Sequence, residues 1–316
     1  MTTLDRFGDI PTAAPGAVLQ ALDDKALARL VHDAPTLRRG IGGSGAVLEV
    51  AGSLVYVKRL PLTDIEYEQR STANLFDLPP CCHYGVGSPG YNAWRELDAH
   101  AMTSVAPVLY HWRVLDLPPG VDLADADATP YGADAPRVQA RIDAVAQASH
   151  SLILFMEHVP FTLLEWLDQV QLDTAIDLVE NHLQRTVSEM NQAGVWHFDA
   201  HFGNVLTDGR RLLFTDFALA ASSKFDMQDD EREFIERHRR HDSLHVQAQW
   251  INWLVSSLAR PADRNTFIEA CAAGAAPEGL PDAAAALVRR HAGAVADFNR
   301  FYRKVFLEDR RAPWPW

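Results

Sequence analysis

The chain has 316 residues, with 29 Lys+Arg against 42 Asp+Glu and hence a formal net charge of −13. Apolar residues make up 47% and charged residues 22%, which excludes a disordered, collagen-like or coiled-coil chain. The acidic balance argues against a nucleic-acid or anionic-membrane surface, because either needs clustered Lys and Arg.

At about 150 residues per domain, the length fits two compact units or one fold with two lobes. Cys81, Cys82 and Cys271 give neither a disulfide framework nor a zinc or CxxC pattern. The opening MTTLDRFGDIPTAAPG is acidic where a secretory leader is basic. No stretch approaches the roughly 18 apolar residues of a membrane span. A cytoplasmic, reduced protein is expected.

In chain order, one helix is expected over Ala17–His32. Val47, Leu48 and Val50, then Leu54, Val55 and Val57, flank Ala51-Gly52-Ser53 as a strand hairpin. Residues 61–90 read as an irregular insertion, Tyr91–Met102 as a helix and PVLYHWRVL as a strand. Leu117–Arg137, rich in Pro, Gly and Asp, reads as a solvated surface insertion, and Leu152–Val159 as an apolar strand ended by Pro160.

Beyond Pro160 the period becomes helical. Ile176, Val179, Leu183, Val187 and Met190 form one stripe of a long helix, with Asp173 placed to cap its start and Gly194 just past its end. Asp208-Gly209 joins two short strands, NVLT and RLLFTDF. A charged segment follows from Gln228 to His241, then an apolar one from Leu244 to Leu258, then Ala-rich helices. The closing Pro313-Trp314-Pro315-Trp316 is expected to pack as a tail anchor. Strands first and helices after predict an α+β, two-lobed protein. Its parts are a helical extension over 1–35, a strand-rich lobe over 36–158 and a helical lobe over 159–316.

The segment WHFDAHFGNVLTDGRRLLFTDFALA carries the chemistry. It holds His197-x-Asp199, Asn204 five residues beyond the aspartate, and Asp216-Phe217-Ala218 at a strand end. Phosphoryl transfer from ATP asks for such a set. One carboxylate receives the nucleophile's proton, while an amide and a second carboxylate hold Mg²⁺ against the phosphates.

In residue type and spacing this segment resembles the catalytic loop and metal segment of the protein-kinase-like superfamily. The resemblance makes Asp199, with His197, the catalytic set, and Asn204 and Asp216 the metal ligands. Three upstream features stand in the matching order. Gly40-x-Gly42-x-x-Gly45-x-Val47 is similar to the kinase Gly-rich loop, where missing side chains let backbone N–H groups approach phosphates. Taken alone, the pattern also describes a flexible Gly/Ser turn. Val55-Tyr56-Val57-Lys58 is similar to the V-A-I-K strand, whose lysine engages the α- and β-phosphates. Leu154–Val159 resembles the strand entering the hinge, which implies that the Glu157 C=O and Val159 N–H bond adenine. The lysine's partner is expected to be Glu96, with Glu66 and Glu68 as alternatives closer in sequence. The resemblance covers about 38–220 and implies ATP and Mg²⁺.

Departures narrow the reading. Phe198 stands where many protein kinases carry an arginine that receives an activation-loop phosphate. No A-P-E triplet and no clear D-x-W-x-x-G helix start follow Asp216, and the loop after Ala218 is short. Constitutive competence is therefore expected. His197-x-Asp199-x-His201-x-Gly203-Asn204 resembles the pattern of aminoglycoside and choline phosphotransferases, implying a small-molecule hydroxyl acceptor. The alternatives are an atypical protein Ser/Thr kinase or a nucleotide-binding pseudokinase scaffold. Asp226, Asp229, Asp230 and Glu231 predict an electronegative mouth suited to a cationic or polyhydroxylated acceptor, or else simply solvate a helix start. His238-Arg239-Arg240-His241 reads as a solvated helix face, and Cys81-Cys82 as ordinary thiols.

Overall fold

The computed structural model describes residues 15–85 and 87–316; the acidic segment 1–14 lies outside them. In place of one helix over Ala17–His32 there are two, α1 (Pro15–Ala21) and α2 (Asp24–Asp33). The cause is local: the Asp23 carboxylate accepts the Ala26 N–H at 2.8 Å and caps a fresh start.

A five-stranded antiparallel sheet is built from an exposed edge strand β1 (Thr36–Gly40) and the more apolar β2 (Gly43–Val50), β3 (Ser53–Leu62), β4 (Leu109–Leu115) and β5 (His150–Glu157), in the order β1-β2-β3-β5-β4. Ala51 and Gly52, with φ of 52° and 75°, make the tight turn that sets Val50 opposite Ser53. β5 stops at Glu157 and not at Val159. Its Glu157 N–H donates to the Val108 C=O at 2.8 Å, after which Val159-Pro160 leave the sheet.

Two stretches expected to be irregular or solvated are part of the core. Residues 61–90 contain α3 (Asp64–Glu68) and a 3₁₀ turn, Pro80–Tyr84. After α4 (Ala93–Met102), the stretch 117–137 holds a 3₁₀ segment, Thr129–Asp134, that leads into α5 (Ala135–Gln147). Leu78, Cys82, Tyr84, Tyr91 and Tyr131 are buried together against Phe301 and Val305. Large aromatic residues offset the polar composition of these loops. Cys81 and Cys82 are free and buried, and desolvation pushes the Cys81 thiol up to about 11 and Cys82 higher still, which keeps both inert.

The remainder is helical around short strands. β6 (Phe161–Thr162) pairs with β8 (Val205–Thr207), which pairs with β9 (Leu212–Phe214); β7 (Val195–Trp196) pairs with β10 (Ala221–Ser222). The helices are α6 (Leu163–Leu167), α7 (Leu172–Gln192), α8 (Asp229–Arg237), α9 (His241–Leu254), α10 (Arg264–Ala272) and α11 (Asp282–Leu307). Asp173 does not cap α7: Gln171 holds that position without a side-chain bond, and Asp173 sits in the first turn, where negative charge meets the helix dipole. His238 and His241, expected on a solvated face, are buried. Their Nε2 atoms lie 2.6 Å from the Tyr84 hydroxyl and 2.7 Å from the Tyr302 hydroxyl. Trp314 packs on Phe301 and His238, and Trp316 on Phe298, so the tail is anchored. A sheet-rich N-terminal part and a helical C-terminal part give the α+β architecture expected from the order of the elements. Among the described residues no helix is long and apolar enough to cross a membrane.

One buried ion pair ties the two parts together. Arg95 on α4 makes bidentate contact with Glu231 on α8, and neither is more than 1% exposed. Breaking such a pair strands a buried charge, so Glu231→Gln is expected to cost about 3–5 kcal/mol, read from urea melts at pH 7. Burial alone raises the Glu231 pKa, but His83 and Arg95 hold it down to about 2, from an ordinary 4.5. Its contribution is therefore complete above about pH 4.5 and lost as pH falls towards 2. The gap between wild type and variant should close over that window.

Candidate active site

Lys58, only 4% exposed, sits on β3 between Gly45 of β2 and Leu154 of β5. Its Nζ lies 2.5 Å from Glu96 Oε1 and 2.9 Å from Asp216 Oδ1. The alternatives to Glu96 are otherwise placed. Glu66 accepts the Ala93 N–H at 3.0 Å, capping α4, and pairs with Arg141 at 2.9 Å; Glu68 is exposed. Desolvation opposes the lysine charge, but Asp216 and Glu96 outweigh it and raise the Lys58 pKa. Burial pushes Glu96 up to about 7, against the pull of Lys58. Burial also raises Asp216, yet Lys58 holds it down to about 2, so that carboxylate is anionic at neutral pH.

The loop after β7 carries the second group. His197 is fully buried, with Nδ1 accepting the Asp199 N–H at 3.2 Å. Its Nε2 then donates to the Thr215 C=O at 2.9 Å, which fixes one neutral tautomer; burial lowers its pKa in agreement. The ring thus ties the Asp199 loop to the residue before Asp216. Asn204 Nδ2 donates to the Asp199 C=O at 3.0 Å and to Asp199 Oδ2 at 3.1 Å. The Gly203 N–H donates to His201 Nδ1, and a Cβ on Gly203 would stand 2.8 Å from that ring. A side chain at this position would displace the His201 ring.

Two non-glycine residues here have left-handed backbones, Phe198 at φ 62° and Asp216 at φ 65°. For a residue as bulky as phenylalanine this costs about 1–3 kcal/mol and persists only where surrounding bonds enforce it. Asp242 on α9 supplies them: Oδ2 accepts the His197 N–H at 2.7 Å and Oδ1 the Phe198 N–H at 2.9 Å. Sequence reasoning missed Asp242. The signal was an acidic residue opening a helix soon after the Asp216 segment, in a chain lacking D-x-W-x-x-G. Phe198 itself packs on His83, Phe234 and His241. Ala218 keeps a negative φ, so its Cβ costs nothing.

A cavity of about 320 Å³ opens between the sheet and the helical part, lined by Val47, Met156, Glu157, Val159 and Thr215. Among the described residues the Val159 N–H has no hydrogen-bond partner. The Glu157 carboxylate is bound to Arg211 and to the Val108 N–H at 3.3 Å. Gly40 and Gly42 have open space where a Cβ would stand. At Gly45 a Cβ would collide with the Tyr56 hydroxyl, which accepts from Arg38 Nε at 2.9 Å. Gly45 is thus required by Tyr56 packing, a reason the pattern alone does not reveal. Tyr56 and Arg38 line the same cavity and were also missed.

A second cavity, of about 660 Å³, reaches Asp199 and is walled by Tyr84, Gly85, α9, α10 and α11. The 80–90 stretch thus borders the site: a Cβ on Gly85 would stand 3.2 Å from Asp199 Oδ1. Asp226, Asp229, Asp230 and Glu231 do not line this cavity. Glu231 is held by Arg95, and Asp230 faces a separate cavity of about 400 Å³ beside Trp314. The electronegative mouth expected from these four residues is not formed here.

The donor set fits Mg²⁺. Asp216 is anionic, and Asn204 spends its amide nitrogen on Asp199, leaving Oδ1 without a hydrogen bond among the described residues. Among those residues no group of three or more His, Cys, Asp or Glu could hold a metal alone. That suits an ion that takes one or two protein ligands and completes its shell with phosphate and water.

No family model matches the chain, and no curated protein matches it. Among solved structures the chain is similar to one described as WaaP in complex with acyl carrier protein, with 14% sequence identity, a TM-score of 0.40 and coverage of 93% of each chain.

Proposed function

We propose that this chain is an ATP- and Mg²⁺-dependent phosphotransferase that moves the γ-phosphate to a hydroxyl of a small molecule. Residues 36–158 would supply most of the nucleotide site and 159–316 the acceptor site. The observation that carries the reading is the pairing of two carboxylates of different duty. Asp216 is bound to Lys58 and anionic, while Asp199 accepts from the Asn204 amide, lies 3.8 Å from His201 Nε2 and opens onto the larger cavity.

Lys58, oriented by Glu96, would bind the α- and β-phosphates; the Val159 N–H and Glu157 C=O would bind adenine, and the Gly40–Val47 turn would cover the phosphates. Asn204 and Asp216 would hold Mg²⁺, which when bound neutralises phosphate charge. The acceptor hydroxyl oxygen attacks the γ-phosphorus as its proton passes to Asp199. The bond from phosphorus to the β–γ bridging oxygen breaks, and that electron pair leaves on ADP. Asp242 and His197 act as positioning residues. An acceptor space of about 660 Å³ lined by three helices favours a small molecule over a protein side chain, and an intact Lys58–Asp216 pair disfavours a scaffold without turnover.

The test is transfer from γ-labelled ATP to pooled small metabolites and, separately, to lysate protein. Label is expected in the small-molecule fraction, lost on chelation and restored by Mg²⁺. Label confined to protein, or undiminished by chelator, refutes the assignment.

A further inference from the structure

The cavity at Asp199 has a chemical character that bears on its ligand. Among the described residues, no carboxylate but Asp199 lines it. Arg264, opening α10, and Arg303, on α11, both line it, and neither makes a hydrogen bond or ion pair among the described residues. Asp263 interacts electrostatically with both, its carboxyl held below its usual range first by hydrogen bonds from Thr266 and only secondarily by the two arginines. Both guanidinium groups are exposed, make no ion pair among the described residues and line the same cavity as the proposed base.

The rest of the lining matches hydroxyl groups and the flat face of a ring. Asn252 and Asn299 exchange amide bonds at 3.0 and 2.9 Å, and Asn299 also donates to Asn265 at 3.2 Å. This fixes a row of carboxamides while leaving the Asn265 amide nitrogen unbonded among the described residues. Phe298 and Tyr302 supply an aromatic wall, their rings 4.8 Å apart. His245 is 94% buried, its Nδ1 has no hydrogen-bond partner, and it too lines the cavity. Desolvation keeps it neutral, so it offers a dipole and no charge.

We propose that the acceptor is a small polyhydroxylated anion, a carboxylate or phosphate ester of a polyol or sugar, whose charged end is bound by Arg264 and Arg303 while one hydroxyl faces Asp199. This rests on the phosphotransferase reading and reverses the cationic preference expected from sequence. A guanidinium fork matches carboxylate and phosphate oxygens bidentately. The carboxamide row meets hydroxyls as donor and acceptor. A cationic amine would face two unpaired arginines.

The experiment uses the full chain with Mg²⁺ and a non-hydrolysable ATP analogue, titrated with glucuronate, glucose 6-phosphate, glucose and glucosamine. At least one of the two anions is expected to bind more than tenfold tighter than glucose, and whichever leads separates a carboxylate from a phosphate ligand. Glucosamine is expected to bind weakest. In Arg264→Glu/Arg303→Glu the order should invert, glucosamine overtaking the anion. That gain cannot come from misfolding, and an unchanged thermal midpoint confirms it. Glucosamine best in wild type, anions no better than glucose, no sugar binding at all, or anion binding indifferent to the charge reversal each overturn the anionic acceptor. Binding of the Mg²⁺–nucleotide to wild type is read independently. If it fails, the phosphotransferase reading falls; if it holds, only the acceptor class is at stake.

Discussion

Asp199→Asn is expected to lower kcat by about 10²–10⁴ while the Kd for Mg²⁺–ATP stays within about twofold, since general-base catalysis commonly supplies a factor of this size. The side chain keeps its shape, so the bond from Asn204 Nδ2, 3.1 Å from Asp199 Oδ2, can be re-formed to an amide oxygen. What disappears is the proposed proton acceptor. Asp216→Asn is expected to behave differently. Its carboxylate is held near a pKa of 2 by Lys58, and a neutral amide removes both the charge of a proposed metal ligand and the partner of a buried lysine. Nucleotide affinity should then fall along with turnover, most sharply at limiting Mg²⁺. Isothermal titration and single-turnover rates on both variants separate the two roles. An Asp199→Asn protein that loses affinity and rate in equal measure would falsify the assignment.

The order of the main β and α elements was legible from local periodicity, whereas Lys58, Glu96, Asn204 and Asp216 were singled out by resemblance, and the structure brings Lys58 to Glu96 and Asp216 and brings Asn204 to Asp199. Alternating apolar residues keep their strand signature in any context, although Lys58 proves to lie mid-strand in β3 and Asp216 two residues beyond β9. The insertions were less legible. Residues 61–90 and 117–137 look polar along the chain, yet Tyr84, Tyr91 and Tyr131 are buried, and that burial depends on Phe301 some 170–220 residues away. The acidic cluster misled for a similar reason. Glu231 reads as one more surface charge until Arg95, 136 positions earlier, is seen opposite it. Gly45 shows a subtler gap: the pattern marked the residue, but Tyr56 supplies the reason. Charge and side-chain type are local, whereas partners come from tertiary packing.

Asp242→Asn tests whether the loop's strain is enforced from α9. The carboxylate is fully buried; burial raises its pKa, but His241 and the His197 N–H bring it down to about 2, from an ordinary 3.8. A shift of that size is worth on the order of 2 kcal/mol at neutral pH. The sign follows from the depressed value. The stabilisation is complete above about pH 3.8 and lost as pH falls through about 2, so the variant's deficit in urea melts should shrink at pH 3 relative to pH 7. An amide can accept only one of the two backbone N–H groups on its oxygen; its own N–H₂ then faces the other. Either His197 or Phe198 loses its bond, and the left-handed Phe198 is released towards an ordinary backbone, shifting Asp199 two peptide units at most from the point of relaxation. Misplacement of about 1 Å at a reacting centre costs roughly 10²-fold. Turnover should therefore fall by about that factor while the KM for ATP changes little, because Lys58 and the Val159 N–H lie on other elements. A merely structural role for Asp242 would lower stability and leave kcat of the folded fraction intact, and that result would remove it from the positioning set.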